Sequence, residues 1–300
     1  MDLARRSQLS LEEHLEVAQA MQMVLLDELA RNARWKVGDA AFHGGTSISS
    51  AWSSQRWSED LDFLLSKGQR DKLMAAAPKV ASGARQRLQV VYPGCAVEFL
   101  VKPGDETKDD VMDVWTVKWS HPNRMKKVLV KLEFYSAEPG IMSAYRAVMA
   151  RPGHAGGSIT TTMPVGDLVS LWADKVKVIA TRPGLKWRDV HDLGYISQQF
   201  DRRGWPDQPA LLDALATTAA IYEKTLQDVE EGLSARLDEG CFDKVEDFTM
   251  DMGRWFPASL HADFVRKDVF KGLIARAEAE VRRALEIIPE PSAGVYGARP

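Results

Sequence analysis

Phe42-His43-Gly44-Gly45-Thr46 and, a helix-length spacer later, Arg56-Trp57-Ser58-Glu59-Asp60-Leu61-Asp62-Phe63 leave the chain few ways to fold between residues 40 and 66. Two glycines after a short apolar run end a strand in a turn whose backbone N–H groups can closely approach a ligand. On a β-prone run, carboxylates at i and i+2 project from one side of the strand, so Asp60 and Asp62 share a face. Acids converging beside a glycine turn are what a divalent cation bridging to a nucleotide phosphate requires. Gly-Gly alone is a common turn, and the neighbouring acids give this one its meaning. Neither a Gly-x-x-x-x-Gly-Lys-Ser/Thr loop nor a Gly-x-Gly-x-x-Gly fingerprint is present.

The rest of the chain has the texture of a globular protein. Of 300 residues 45% are apolar and 27% charged, enough for a sizeable core and too apolar for general disorder. No apolar run approaches a membrane span, and Asp2, Arg5 and Arg6 open the chain without a leader-like segment, so a cytoplasmic location is expected. Cys95 and Cys241 lie far apart and read as two buried thiols. The net charge of −3 is unevenly spread: residues 118–203 hold fourteen Lys/Arg against seven Asp/Glu, and residues 223–251 three against ten. The middle of the chain is therefore the part suited to phosphate, and the acidic stretch reads as a solvated helical face or a seat for a basic partner.

Ser10-Leu11-Glu12-Glu13 has capping-box form and opens a helix to about residue 34. A short strand at 40–42, a helix from Thr46 to Ser54, a strand at 61–65 and a helix over 71–87 follow, then strand-like runs at 88–92, 96–101, 112–119 and 127–135. Pro, Gly and Thr dominate 136–164, which reads as loop. Helices are expected over 165–180, 188–199, 209–231 and 262–287, with Pro289, Pro291 and Gly294 loosening the end. The fold class is thus α+β: a mixed sheet with flanking helices over 1–157, a helical domain over 158–290 that completes an active-site cleft, and a tail over 291–300. A third acid is expected on a strand next to Asp60 and Asp62. Glu133, inside Val130-Lys131-Leu132-Glu133-Phe134, is the candidate, with an outward-facing strand residue as the alternative.

Gly44-Gly45-Thr46 followed by Arg56-x-Ser58-x-Asp60-Leu61-Asp62-Phe63 resembles the signature of the AbiEii/AbiGii-type toxins, the MenT-like nucleotidyltransferases of the DNA polymerase β superfamily. Ala173-Asp174-Lys175-Val176-Lys177-Val178-Ile179-Ala180-Thr181-Arg182 resembles that family's A-E-K-L-x-A-L-x-x-R helix, and Arg188-Asp189-Val190-His191-Asp192-Leu193 its R-D-x-x-D-L. Asp174 stands where Glu is usual and His191 where an aromatic is usual. The resemblance spans roughly residues 40–195. It implies a polymerase-β-like sheet, magnesium or manganese, an NTP substrate, nucleotidyl transfer with release of pyrophosphate, a tRNA acceptor end in several relatives, and a cognate antitoxin.

In that frame Asp60, Asp62 and Glu133 would hold metal, and Gly44, Gly45 and Thr46 with Lys175 and Arg182 would hold the triphosphate. Arg56 and Ser58 would support the glycine loop or a phosphate. Arg182, two turns beyond Lys175, shares its face. Asp189 and Asp192, one face of the next helix, would complete the site with Arg188, Asp192 being preferred as catalytic; an Arg188–Asp192 surface pair and a surface Lys175 are the plainer readings. His43 reads as packing, and the tryptophans as core anchors, with Trp187 beside Arg188 the one suited to stacking. Protein AMPylation or phosphoryl transfer on the same scaffold, and non-catalytic nucleotide or RNA binding, are the competing functions.

Overall fold

Ser10 accepts from the Glu13 N–H while Glu13 returns a bond to the Ser10 N–H, and this capping box starts α1 (Leu11–Ala33) as the spacing predicts. The computed structural model describes residues 7–105, 111–154 and 157–289. The N-terminal residues read for a leader and the 291–300 tail lie outside these. After α1 come β1 (Ala40–His43), α2 (Gly44–Ala51), β2 (Leu61–Ser66), α3 (Arg70–Val91), β3 (Ala96–Lys102), β4 (Met112–Ser120) and β5 (Val128–Ala137).

The run at 88–92, expected as a strand, is the last turn of α3. Leu73, Ala76, Ala77, Val80, Ala84 and Leu88 form one buried helical stripe, while Val90 and Val91 point to solvent. Packing of that stripe against α1 outweighs the β preference of two exposed valines. The stretch expected as loop over 136–164 is more ordered than its composition predicts. It carries α4 (Pro139–Ala144), β6 (Ala147–Ala150), the two-residue ladder β7 (Gly153–His154) with β8 (Gly157–Ser158), and β9 (Met163–Gly166). β9 pairs parallel to β1 and antiparallel to β6, so the sheet takes a member from beyond residue 158.

Among the described residues the main sheet has the order β3-β4-β5-β2-β1-β9-β6. β2 runs antiparallel to β1 and parallel to β5, which places Asp62 opposite Glu133 in register. Alternation along these strands sorts the faces. Leu61, Phe63 and Leu65 of β2 and Val130, Leu132 and Phe134 of β5 enter the core shared with α1 and α3. Asp62 and Leu64, with Glu133 and Tyr135, take the opposite face, where Ala41, Leu64, Ala137, Met142, Tyr145 and Ile221 form a smaller core. Behind the acids Phe42, Phe63, Phe134 and Trp115 form an aromatic row with centroids 4.9–5.1 Å apart, a stiff backing for the polar edge.

The helical remainder is α5 (Leu168–Thr181), α6 (Trp187–Arg203), α7 (Gln208–Ile221), α8 (Leu226–Asp238), α9 (Val245–Met252), α10 (Ala258–Arg266) and α11 (Val269–Ile287). The helix expected over 209–231 divides at Tyr222, with Glu223 in the left-handed region and Thr225 capping α8. The one expected over 262–287 divides at Asp268, also left-handed. Each break lets the chain reverse, and α7 and α8 thereby both pack on α5. Their shared core, which includes Trp172, Leu193, Phe248, Phe270 and Val281, also receives Ile48 from α2. α2 thus packs on both layers, against β2 and β1 on one side and α6 and α5 on the other.

Candidate nucleotide site

A cavity of about 400 Å³ lies where the Asp62 face of the sheet meets α2, α5, α6 and the end of α7. Of the residues predicted for the site, Gly44, Gly45, Arg56, Ser58, Asp60, Asp62, Glu133, Lys175, Arg182, Arg188 and Asp189 line it. Thr46 and Asp192 do not.

The glycine turn is built against the acid. Gly44 has φ +75°, and a Cβ there would sit 2.2 Å from Oδ2 of Asp62. A Cβ on Gly45 would fall 2.4 Å from Nη2 of Arg56 and 2.9 Å from Oγ of Ser58. Two glycines are therefore needed for two reasons, one of backbone and one of space. α2 begins at Gly44 rather than at Thr46, its N-cap, His43, supplies no side-chain cap to the first-turn N–H groups, and Gly44 and Gly45 of that turn line the cavity.

Thr46 is fully buried, and its hydroxyl donates to the Asp60 carbonyl. It ties α2 to the residue that leads into β2. Gln22 of α1 adds a second tether, donating to the Ser58 and Glu59 carbonyls at 2.8 and 3.0 Å.

Among the described residues the side chains of Asp60, Asp62 and Glu133 have no hydrogen-bond or ion-pair partner. Burial is the main cause that pushes the Asp62 carboxyl above the usual range, with the nearby Asp60 adding to it against His43. Glu133 is also raised, by burial first and then by Asp62 and Asp60. Among the same residues no group of three His, Cys, Asp or Glu is gathered into a ready-made metal site. Asp62 and Glu133 are neighbours in register, Asp60 stands just ahead of β2, and the three do not close on one point.

The opposite wall is a lattice of opposite charges. Lys175 of α5 donates to Asp189 at 2.8 Å and pairs with Asp192 at 2.9 Å, and the second Asp189 oxygen receives Arg182. Arg56 forks onto Asp192 with two bonds of 2.8 Å and gives its remaining nitrogen to the Trp57 carbonyl at 2.7 Å. Asp192 is wholly buried. Burial opposes its charge, but Arg56 and Lys175 outweigh that and hold its carboxyl well below the usual range. Asp189 is lowered likewise, Lys175 and Arg182 overcoming its burial.

Asp192 therefore locks Arg56 behind the glycine turn and stands one layer back from the cavity lining. The Arg188–Asp192 surface pair does not form; Arg188 lies over Trp255, 5.3 Å from the ring centroid. Nor is Lys175 a surface residue, being only 6% exposed. Trp187 packs on Phe248.

Several lining residues escaped the sequence reading. His43 packs as expected but also meets Asp174 at 3.1 Å, and Asp174 receives the Tyr145 hydroxyl at 2.8 Å and that of Thr218 at 3.3 Å. Tyr135, Lys177, Lys186 and Tyr222 complete the wall. Lys177 is two residues from Lys175, which on a helix points it well away. Only the burial of α5 on nearly every side brings both lysines to one cavity.

Three comparisons bear on this arrangement. The family model described as nucleotidyl transferase AbiEii toxin, type IV TA system, matches residues 32–273. Among solved structures the chain is similar to MenT4, the nucleotidyltransferase toxin Rv2826c of Mycobacterium tuberculosis H37Rv, at 16% identity and a TM-score of 0.52, over 94% of this chain and 96% of that one. JHP933 of Helicobacter pylori matches at 15% identity and a TM-score of 0.44, over 93% and 95% of the two chains. The likeness to MenT4 bears on the fold: a mixed sheet with flanking helices and helices after it. No match is found among curated protein sequences.

Proposed function

Because the chain belongs to the AbiEii nucleotidyl transferase toxin family of type IV toxin–antitoxin systems, we propose that it moves a nucleotide from an NTP to the 3′ hydroxyl of a tRNA in the cytoplasm, depends on magnesium or manganese, and is countered by a cognate antitoxin. No helix among the described residues is long and apolar enough to cross a membrane. The observation that carries the reading is the seat of Gly44 on Asp62, which sets the open N-terminus of α2 beside an acid edge without partners.

The donor set suits a hard divalent cation: carboxylate oxygens alone, with Asp62 and Glu133 in register and Asp60 next to them. Coulomb repulsion among three like charges is reason enough for them to stand apart without a counter-charge. Bound there, such an ion neutralises phosphate charge and eases ionisation of the attacking hydroxyl.

The protein's own groups do the rest. The first-turn N–H groups of α2 bind phosphate oxygens, as helix N-termini do. Lys175, held by Asp189 and Asp192, and Arg182 present fixed positive charge to the triphosphate. The acceptor oxygen attacks the α-phosphorus in line, the bond to the β-phosphate oxygen breaks and pyrophosphate leaves, while Glu133 takes the hydroxyl proton. The excess of Lys and Arg over residues 118–203 supports a polyanionic acceptor over a protein hydroxyl.

The test is incubation of the purified protein with total RNA and each labelled NTP in turn. One NTP labels a tRNA-sized band with release of pyrophosphate, transfer stops with a chelator, and acceptor binding weakens steeply with salt. Transfer at full rate by Asp60→Ala or Lys175→Ala, or no pyrophosphate with any NTP, would sink the reading.

A further inference from the structure

The basic groups of the cavity are not equally available to a phosphate. Arg56 and Lys175 are engaged by Asp192, and Arg182 and Lys175 by Asp189. Lys177 lines the same cavity and forms no ion pair with the described residues, although it is only 6% exposed. Its ammonium sits 3.1 Å from the centroid of the Tyr222 ring, and Tyr222 is in turn braced against Tyr135, the two centroids 4.8 Å apart. A cation over an aromatic face is held in direction without being neutralised, unlike one bonded to a carboxylate. Lys177 occupies the x of the A-E-K-L-x-A-L pattern, so the signature that points to Lys175 is silent about it.

We infer that Lys177 is a phosphate-binding residue for the incoming nucleotide, poised by Tyr222 on the cavity wall and left unpaired so that the triphosphate supplies its counter-charge. This rests on the nucleotidyl-transfer reading and adds to it a contact that no motif assigns.

Its electrostatic surroundings give the contact a signature. Facing Lys177 are Asp174, Lys175 and Arg182 from its own helix and the end of that helix, Asp189 from α6, and Tyr222 at the end of α7, while His43, Asp62, Glu133 and Tyr135 line the cavity from the sheet. Burial, opposed by Asp174, lowers the ammonium to about 8. A phosphate monoester loses its second proton near pH 6, and any later deprotonation of a polyphosphate adds negative charge and would strengthen its binding to a cation. Loss of affinity above pH 8 therefore reports the protein, and a phosphate that requires the charged lysine loses about tenfold in affinity per pH unit beyond that point.

The experiment uses inorganic tripolyphosphate as the probe, so that base and sugar contacts drop out. Its binding to the full chain is measured by titration calorimetry from pH 6.5 to 9.5, in buffers of differing ionisation heat to count protons. The expected wild-type result is proton uptake on binding near pH 8 and weakening above it. Lys177→Met binds at least about tenfold more weakly at pH 7 and loses the pH dependence, while Lys177→Arg keeps its affinity to pH 9.5 because a guanidinium does not titrate there.

Equal binding by Lys177→Met, or a wild-type profile flat through pH 9.5 without proton uptake, overturns the assignment. The wild-type profile decides the matter even if a variant does not fold. Tripolyphosphate binding with intact nucleotide transfer but no role for Lys177 would remove this inference alone. Absence of both binding and transfer in the wild type would remove the proposed function with it.

Discussion

The carboxylates of the sheet and those of α6 belong to opposite walls of one cavity, Asp192 set behind its wall, and stand under opposite electrostatics. Asp62 and Glu133 are raised above the ordinary range by burial and by like charge, and they have no partner among the described residues. Asp189 and Asp192 are buried more deeply still but sit below that range, because Lys175, Arg56 and Arg182 were folded in with them. Burial alone thus does not determine what a buried acid does; the company does. The helix acids are engaged in the charge lattice of the wall, whereas the sheet acids have no such partner among the described residues.

The sharpest way to break this contrast is to neutralise one acid on each side. Asp192→Asn leaves Arg56 buried without its counter-charge and Lys175 with Asp189 alone, and should cost about 3–5 kcal/mol in urea unfolding. Its lowered carboxyl contributes stability that is present above the unfolded pKa and lost as pH falls through the folded one, so the variant should also be less sensitive to acid than the wild type. A variant that unfolds like the wild type would remove the structural role of the lattice.

Gly44→Ala should have an intermediate effect, about 1–2 kcal/mol for a left-handed alanine, with transfer falling further because the new methyl enters the space of the Asp62 carboxylate. Unchanged transfer would separate the glycine turn from the acid edge.

Asp62→Asn should have the smallest effect on folding and the opposite sign. A raised carboxyl contributes stability that is present below its unfolded pKa and lost as pH rises through the folded one, so at pH 7 removing the charge raises Tm. Transfer should nonetheless drop by about 10²–10³-fold or more. An Asp62→Asn protein that melts lower would erase the difference between the two sets of acids.

The glycine turn and the acid pair were legible because each is a local statement: two adjacent residues needing room, and two side chains at strand spacing. Glu133 was legible for a related reason, as a charge alternating with buried Val130, Leu132 and Phe134. Asp192 was legible as a motif member, but its pairing with Arg56 was not, since the two lie 136 residues apart. The helix in place of a strand at 88–92 and the strand at 163–166 went unread because neighbours settled them: α1 in the first case, β1 and β6 in the second. Lys177 could not be found by spacing, since its place in the cavity depends on α5 being enclosed by α6, α7 and α8.

From its sequence alone the chain was committed to an acid pair behind a glycine turn, to a helix carrying Lys175, and to membership of the AbiEii nucleotidyl transferase toxin family; backbone periodicity and side-chain chemistry act over a few residues and need no fold to be read. Which carboxylates would be neutralised and which left charged was decided only when α5 and α6 docked against the sheet. Coulomb energy depends on distances through space, and those between residues more than a hundred positions apart exist only in the folded molecule.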